Sequence, residues 1–397
     1  MRVLQVHCTY QYAGGEDSVV ASEKVLLEDN GVVVDDLNFS NVGGALKKVI
    51  QAPYNLQSYK IAKKKIEEFR PDIIHIHNLH FAASNSVIYA IEKSGVPFVQ
   101  TLHNFRLICP SAILFHDGKI FLDSMNQKFP WSAVKAGVYR NSKVLTAWIA
   151  FAIKMHQWMG TWKKASKYIV LTQHARQIFL DAKIGITEEQ LTVKPNFSAS
   201  KYLTSIVPSE SFLFIGRLSE EKGIGVLLEA FSSLPYKLKI AGDGPMKEEV
   251  IAFCKKNKHV EYVGNLGREE VFPYLASGKA LVFPSTWYEG MPMVLIEALA
   301  SGLPVIASKI GAMKEMIIPE YNGLHFEPNN VEALKSAIIQ FAGADDARQK
   351  EFRTNAYNSY IENYTPEKNA EILLAIYRQV IDASPKGTSL KSAFTSV

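Results

Sequence analysis

Phe212-Leu213-Phe214-Ile215-Gly216-Arg217-Leu218-Ser219-Glu220-Glu221-Lys222-Gly223 reads as a buried strand, a glycine-led turn carrying two cations, and the start of a helix. Four apolar residues without alternation suit a strand covered on both faces, as in a parallel sheet. Outward from this stretch the same alternation continues. Strands are expected at 237–241, 260–263, 280–283 and 304–307, and helices at 223–231, 246–255, 271–277 and 292–300. Upstream, a second series has strands at 2–7, 73–77, 98–102 and 168–171, helices at 17–30 and 173–181, and a turn at Pro195-Asn196. Such alternation builds doubly wound α/β sheets. A chain of 397 residues also exceeds what one core usually supports, so two domains are expected, with a linker near 197–210. The tail from Ala383, with Pro, Gly and several Ser, is expected to be mobile.

The composition, 47% hydrophobic and 21% charged, is that of a globular protein and excludes a disordered or fibrous chain. Cys8, Cys109 and Cys254 lie far apart without a CxxC pair, and the first residues enter a strand pattern rather than a signal peptide. A cytoplasmic, reduced protein is the expectation. The net charge of +5 is unevenly spread. Residues 124–180 contain nine Lys and Arg and no acid, which leaves the remainder at −4. Trp131, Trp148, Trp158 and Trp162 lie in the same region, beside an apolar run at 144–153 too short to span a bilayer. Interleaved basic and aromatic residues fit either a helical core with a solvated basic face or a peripheral contact with anionic lipid. Nucleic acid is disfavoured, because no nucleic-acid module is present.

Ligands of doubly wound sheets bind beyond the carboxyl ends of the strands, so the loops after strands carry the candidates. After the first strand come Gly14, Gly15 and Glu16, a glycine turn opening a helix, where backbone N–H groups and the helix N-terminus can meet an anion or form a plain turn. His103 ends the strand 98–102 and could hydrogen-bond a sugar or serve as a structural histidine. His75, His77 and His80 invite a metal reading, which is set aside because no carboxylate or cysteine lies nearby in sequence.

In the second series, Gly216 with Arg217 and Lys222 could neutralise a diphosphate. The turns Gly242-Asp243-Gly244 and Val263-Gly264-Asn265-Leu266 end the next two strands. The most specific stretch is Glu289-Gly290-Met291-Pro292-Met293-Val294-Leu295-Ile296-Glu297. Pro292 suits the first turn of a helix, leaving the N–H groups of Gly290, Met291 and Met293 toward a phosphate. Read as continuous helix, the two glutamates stand about 12 Å apart, too far for an acid–base pair on one glycosidic centre. They suit instead two hydroxyl acceptors at opposite ends of a diphosphate.

These residues together resemble the retaining family-4 glycosyltransferases, and around Thr101-Leu102-His103-Asn104 a polysaccharide-assembly branch of them. The resemblance covers nearly the whole chain. It implies a GT-B fold: two Rossmann-like domains facing a central cleft, an acceptor domain of residues 1–197 with 366–397, and a nucleotide-sugar domain of 198–365, the last helix crossing back to the first domain. By the same resemblance Arg217 and Lys222 hold the diphosphate, Glu297 the ribose, Glu289 the transferred sugar and His103 a sugar hydroxyl, while the loop after Val263 flanks the base. No metal or other cofactor is implied. The implied reaction moves a hexose from a nucleotide diphosphate sugar, UDP-glucose or another UDP-hexose being favoured, to a glycan acceptor, with a lipid-linked one at the cytoplasmic membrane face preferred. A non-catalytic sugar-nucleotide-binding subunit, an epimerase and a phosphorylase are the alternatives.

Overall fold

The structure, a computed structural model, describes residues 1–9, 15–41, 49–199 and 209–384; Gly14, most of the expected linker and the tail beyond Ser384 lie outside the described residues. The chain divides into two compact units. One comprises Met1–Leu114, Phe121–Pro195 and Glu367–Val397, the other Phe115–Ile120 and Asn196–Pro366.

The strands are, in order, β1 (Arg2–Thr9), β2 (Val33–Ser40), β3 (Ile73–Ile76), β4 (Phe98–Leu102), the hairpin pair β5 (Phe115–His116) and β6 (Lys119–Ile120), then β7 (Lys167–Val170) and β8 (Leu191–Val193). The first unit holds a parallel six-stranded sheet in the order β2-β1-β3-β4-β7-β8. The order reverses between β1 and β3, so the natural crevice lies beyond their carboxyl ends. Asp117 and Gly118 both have positive φ, as a two-residue hairpin turn between β5 and β6 requires. The helix Pro366–Asp382 belongs to this first unit, and it places Leu373, Ile376, Tyr377 and Val380 in one core with Val3, Ile73, Val99 and Ile169.

The second sheet contains β9 (Ser211–Ile215), β10 (Lys237–Ala241), β11 (Val260–Gly264), β12 (Leu281–Phe283), β13 (Val305–Ser308) and β14 (Gly323–Phe326), in the order β11-β10-β9-β12-β13-β14. All pairs are parallel. Its reversal lies between β9 and β12. The stretch that opened the sequence reading is therefore β9, the central strand beside the switch point, and Phe212, Leu213 and Phe214 are almost fully buried.

Three details depart from expectation. The helix expected at 292–300 begins at Met293, and Pro292 (φ −68°, ψ 121°) caps it instead of joining its first turn. The helix expected at 271–277 begins three residues earlier, at Arg268, with Pro273 inside it. Strands β2, β8 and β14, which carried no clear pattern, are all at sheet edges, where one flank needs no apolar cover.

Candidate functional site

The second unit builds its site at the reversal. Beyond β9, Glu220–Lys222 form a single 3₁₀ turn closed by Gly223 at φ 73°. A Cβ there would stand 1.9 Å from the Pro284 carbonyl oxygen, so only glycine lets the loops after β9 and β12 meet. Backbone and side-chain groups of Ser285 and Thr286 donate to the Glu221 carbonyl, tying the two loops together. Lys222 Nζ then lies 2.6 Å from Glu289 Oε1, and Ser285 Oγ donates to the same oxygen at 2.8 Å. The ammonium also rests 5.5 Å from the Trp287 ring centre and 5.6 Å from that of Phe283. Glu289 is buried, and these contacts compensate its charge.

The neighbouring turns interlock by the same logic. Gly216 donates to Ala241, Gly242 to Gly264, and Leu218 to Asp243, while a Cβ on Gly242 would stand 1.9 Å from the Gly216 carbonyl oxygen. A Cβ on Gly244 would stand 2.4 Å from the Leu218 carbonyl oxygen. Val263 and Leu266, half-buried, flank Gly264. Arg217 is exposed and pairs with no carboxylate among the described residues. Glu289 stands in the loop before the helix Met293–Ala300, so the helical spacing assumed from sequence does not apply to the two glutamates; only Glu297 is helical. Burial pushes the Glu297 carboxyl up, opposed by the Arg268 guanidinium. Gly290, Met291, Met293 and Val294 donate their N–H to no described acceptor, and Met291 Sδ accepts from Asn196 N at 3.2 Å. A helix start with free N–H groups, a cation on the next loop and an exposed Arg can hold an anion.

In the first unit, Gly15 opens the helix Gly15–Asp29 beyond β1, with Glu16 in its first turn and Asp17 Oδ1 2.7 Å from His7 Nε2. Beyond β3 and β4, His77 Nδ1 and His103 Nε2 are 3.1 Å apart, their rings stacked at 5.4 Å. Behind them is a carboxylate that sequence spacing did not reveal. Glu23, from the helix, places Oε1 2.9 Å from His75 Nδ1 and 3.2 Å from His77 Nε2, and Oε2 3.2 Å from Lys194 Nζ. The ground for setting aside a metal, that no carboxylate was near, is thus corrected: Glu23, His75 and His77 have the donor types and proximity for an ion. The surroundings argue otherwise. Lys194 already supplies the positive charge, and His75 is bonded through Nδ1 to Tyr377 and through Nε2 to Thr101. His75, Lys194 and His77 hold Glu23 well below the usual carboxylate range against the opposing effect of burial, which is the largest influence. Burial lowers His77 to about 4 and His103 well below its usual value, so both rings are neutral at pH 7.

Two open parallel sheets with their ligand-binding loops at both reversals define a GT-B glycosyltransferase fold, and solved structures agree. Sucrose-phosphate synthase from Thermosynechococcus elongatus superposes with a TM-score of 0.71 at 18% identity, over 96% of this chain and 100% of that one. HepE of Anabaena, solved with UDP-glucose, gives 0.64 at 18% identity over 95% and 99%. Residues 42–197 match Glycosyltransferase Family 4, and residues 204–359 match Glycosyl transferases group 1. The chain is a family-4 glycosyltransferase, a transferase enzyme. A putative teichuronic acid biosynthesis glycosyltransferase of Bacillus subtilis is 27% identical over 86% of this chain and 79% of its own length. An uncharacterized glycosyltransferase of Methanocaldococcus jannaschii is 26% identical over 77% and 75%.

Proposed function

We propose that the enzyme transfers a hexose from a UDP-hexose, with retained anomeric configuration, to a lipid-linked glycan during polysaccharide assembly. The observation that carries the donor half is the Lys222–Glu289 pair at the second sheet's reversal, beside exposed Arg217 and the helix N-terminus at Met293. Arg217, Lys222 and the N–H groups from Gly290 to Met293 take up charge on the leaving diphosphate; Glu289 accepts from sugar hydroxyls, Glu297 from the ribose, and His103 meets a sugar hydroxyl. These cations do the work without a metal. The solved HepE complexes with UDP and UDP-glucose support the choice of donor, and the Bacillus relative's printed role in teichuronic acid biosynthesis supports the setting in polysaccharide assembly.

Support for a membrane-borne acceptor comes from the helix Lys143–Trp158. Val144, Trp148, Phe151 and Trp158 form an exposed stripe on one face, and Trp131 is exposed as well. No described helix is long and apolar enough to cross a membrane. The reading is peripheral contact at the cytoplasmic face.

A thermal-shift panel of UDP-hexoses, GDP-mannose and UDP tests the donor, since a ligand stabilises by the logarithm of its saturation. UDP-hexoses should raise the melting temperature most. Stabilisation by GDP-mannose without UDP-hexoses would overturn the donor, and an inverted anomeric signal in the product NMR spectrum would overturn retention.

A further inference from the structure

His77 and His103 are neutral and in contact, so each carries one ring proton, and the nitrogen that holds it decides what the ring can do. Glu23 settles this for His77. Its Oε2 accepts from Lys194 Nζ at 3.2 Å, and the same ammonium donates to Asn369 Oδ1 at 3.0 Å, so the carboxylate stays ionised and can only accept. Its Oε1 stands 3.2 Å from His77 Nε2. That nitrogen lies off the direction of a good hydrogen bond, yet a lone pair held so near a carboxylate would be repelled, so charge places the proton on Nε2. His77 Nδ1 is then bare. Across the 3.1 Å contact it can only accept, and His103 must donate from Nε2. His103 Nδ1 is left without a proton, and no described residue bonds to it. The ring is half-buried, so a ligand can reach it.

We propose that Glu23 and His77 are positioning residues for the transfer, fixing His103 as its Nε2–H tautomer so that Nδ1 accepts a hydrogen bond from a substrate hydroxyl. The inference rests on the transferase reading above, in which His103 meets a sugar hydroxyl, and adds the direction of that bond: the hydroxyl donates. Neighbouring contacts hold the relay in place. His75 is fixed between Tyr377 Oη at 2.6 Å and Thr101 Oγ1 at 2.7 Å, and Gln5 Nε2 donates to Glu23 Oε1 at 3.3 Å. The His77 and His103 rings stack with 25° between their planes. The opposite tautomer of His103 would place an N–H at Nδ1 and, through His77, aim a lone pair at the Glu23 carboxylate. Ring and carboxylate are therefore set together.

Long-range proton–nitrogen NMR of the full chain, labelled at its histidine nitrogens, reads the tautomers, with His77→Asn and His103→Asn assigning the signals. Wild type should show a protonated Nε2 and a bare Nδ1 in both rings; a proton on Nδ1 of either would overturn the proposal. Glu23→Gln should leave His77 in mixed tautomers, and an unchanged His77 spectrum there would also overturn it. Activity supplies a second readout. His77→Asn keeps an acceptor oxygen near the place of Nδ1, whereas His77→Leu keeps volume without one. Donor hydrolysis, followed as UDP release from the UDP-hexose that stabilises the protein most, should fall about tenfold or more in His77→Leu. UDP affinity should stay unchanged, and His77→Asn should restore most of the rate. Equal rates in the two variants, whether high or low, would overturn the relay, because a role in packing alone treats them alike. Melting curves identify any variant that fails to fold, and the wild-type tautomers then decide the matter. Absence of donor turnover in wild type would count against the transferase reading, while the spectra still decide the tautomers.

Discussion

Lys222 and Glu289 are each other's counter-ion, and that makes their substitutions unlike that of Arg217. Replacing Lys222 by Ala leaves the Glu289 carboxylate buried with only Ser285 to satisfy it. A stability loss of about 2–3 kcal/mol is expected in denaturant unfolding. Arg217→Ala, at an exposed position, should stay within about 0.5 kcal/mol of wild type. Both should lower turnover by roughly a hundredfold or more if each side chain meets developing phosphate charge. Near-normal turnover in both would remove them from the mechanism. Glu23 poses a sharper case. Glu23→Gln strands Lys194 inside the first unit and should cost about 3–5 kcal/mol. Acid should act there first. His77, whose folded pKa of about 4 lies below its usual 6.5, remains neutral while the unfolded chain takes up a proton, so stability falls as pH drops from 6.5 toward 4. Glu23, also depressed, contributes stability that is present above its usual 4.5 and is lost below it. Both signs agree, and hydrogen exchange of the first unit across pH 7 to 4 would reveal them; an acid-stable first unit would contradict the burial of this network. The sequence held a trace of it. Glu23 occupies the apolar stripe Val19, Val20, Leu26 and Leu27, where a charge needs a partner, but the partners come from β3 and from beyond β8, which local periodicity cannot connect.

At the scale of elements, the helix Lys143–Trp158 serves two surfaces. Ile149, Ala150 and Ala152 face inward, and Val144, Trp148, Phe151 and Trp158 outward. Double substitution of Trp148 and Trp158 by Ser should reduce sedimentation with anionic vesicles by more than tenfold at low salt, since each buries an apolar ring worth about 1.5 kcal/mol or more at an interface. Its melting temperature should be unchanged. Undiminished vesicle binding would assign the stripe to something other than lipid. The parallel core strands were legible from sequence because they are short, apolar and punctuated by glycine, and the loops after β9 and β10 were legible because Gly223, Gly242 and Gly244 stand where a side chain would collide with neighbouring backbone. The edges were not. In β2 only Leu37 is fully buried, and Asp35 and Asp36 interrupt the pattern. The two-faced role of the basic aromatic segment stayed open because composition does not say which face a tryptophan takes.

At the scale of the whole molecule, the two reversals of strand order place candidate residues beyond β1 and β3 in one unit and beyond β9 and β12 in the other. The helix Pro366–Asp382 completes the first unit's core with four side chains that are at most 4% exposed. A chain ending at residue 365 should therefore retain a cooperative unfolding transition for the second unit and lose protection across β1, β3 and β4, as read by hydrogen exchange. Full protection in that truncated chain would show the helix to be dispensable. The same helix sets an order of assembly. On the ribosome, domains ordinarily fold from the N-terminus onward, yet here β1 leaves first and waits for Tyr377 and Val380, so the unit that begins the chain is the last to close. Until then it exposes an apolar seam and an unshared Glu23–Lys194 pair without Asn369, and newly made chains should depend on a chaperone longer than the position of their first strand suggests.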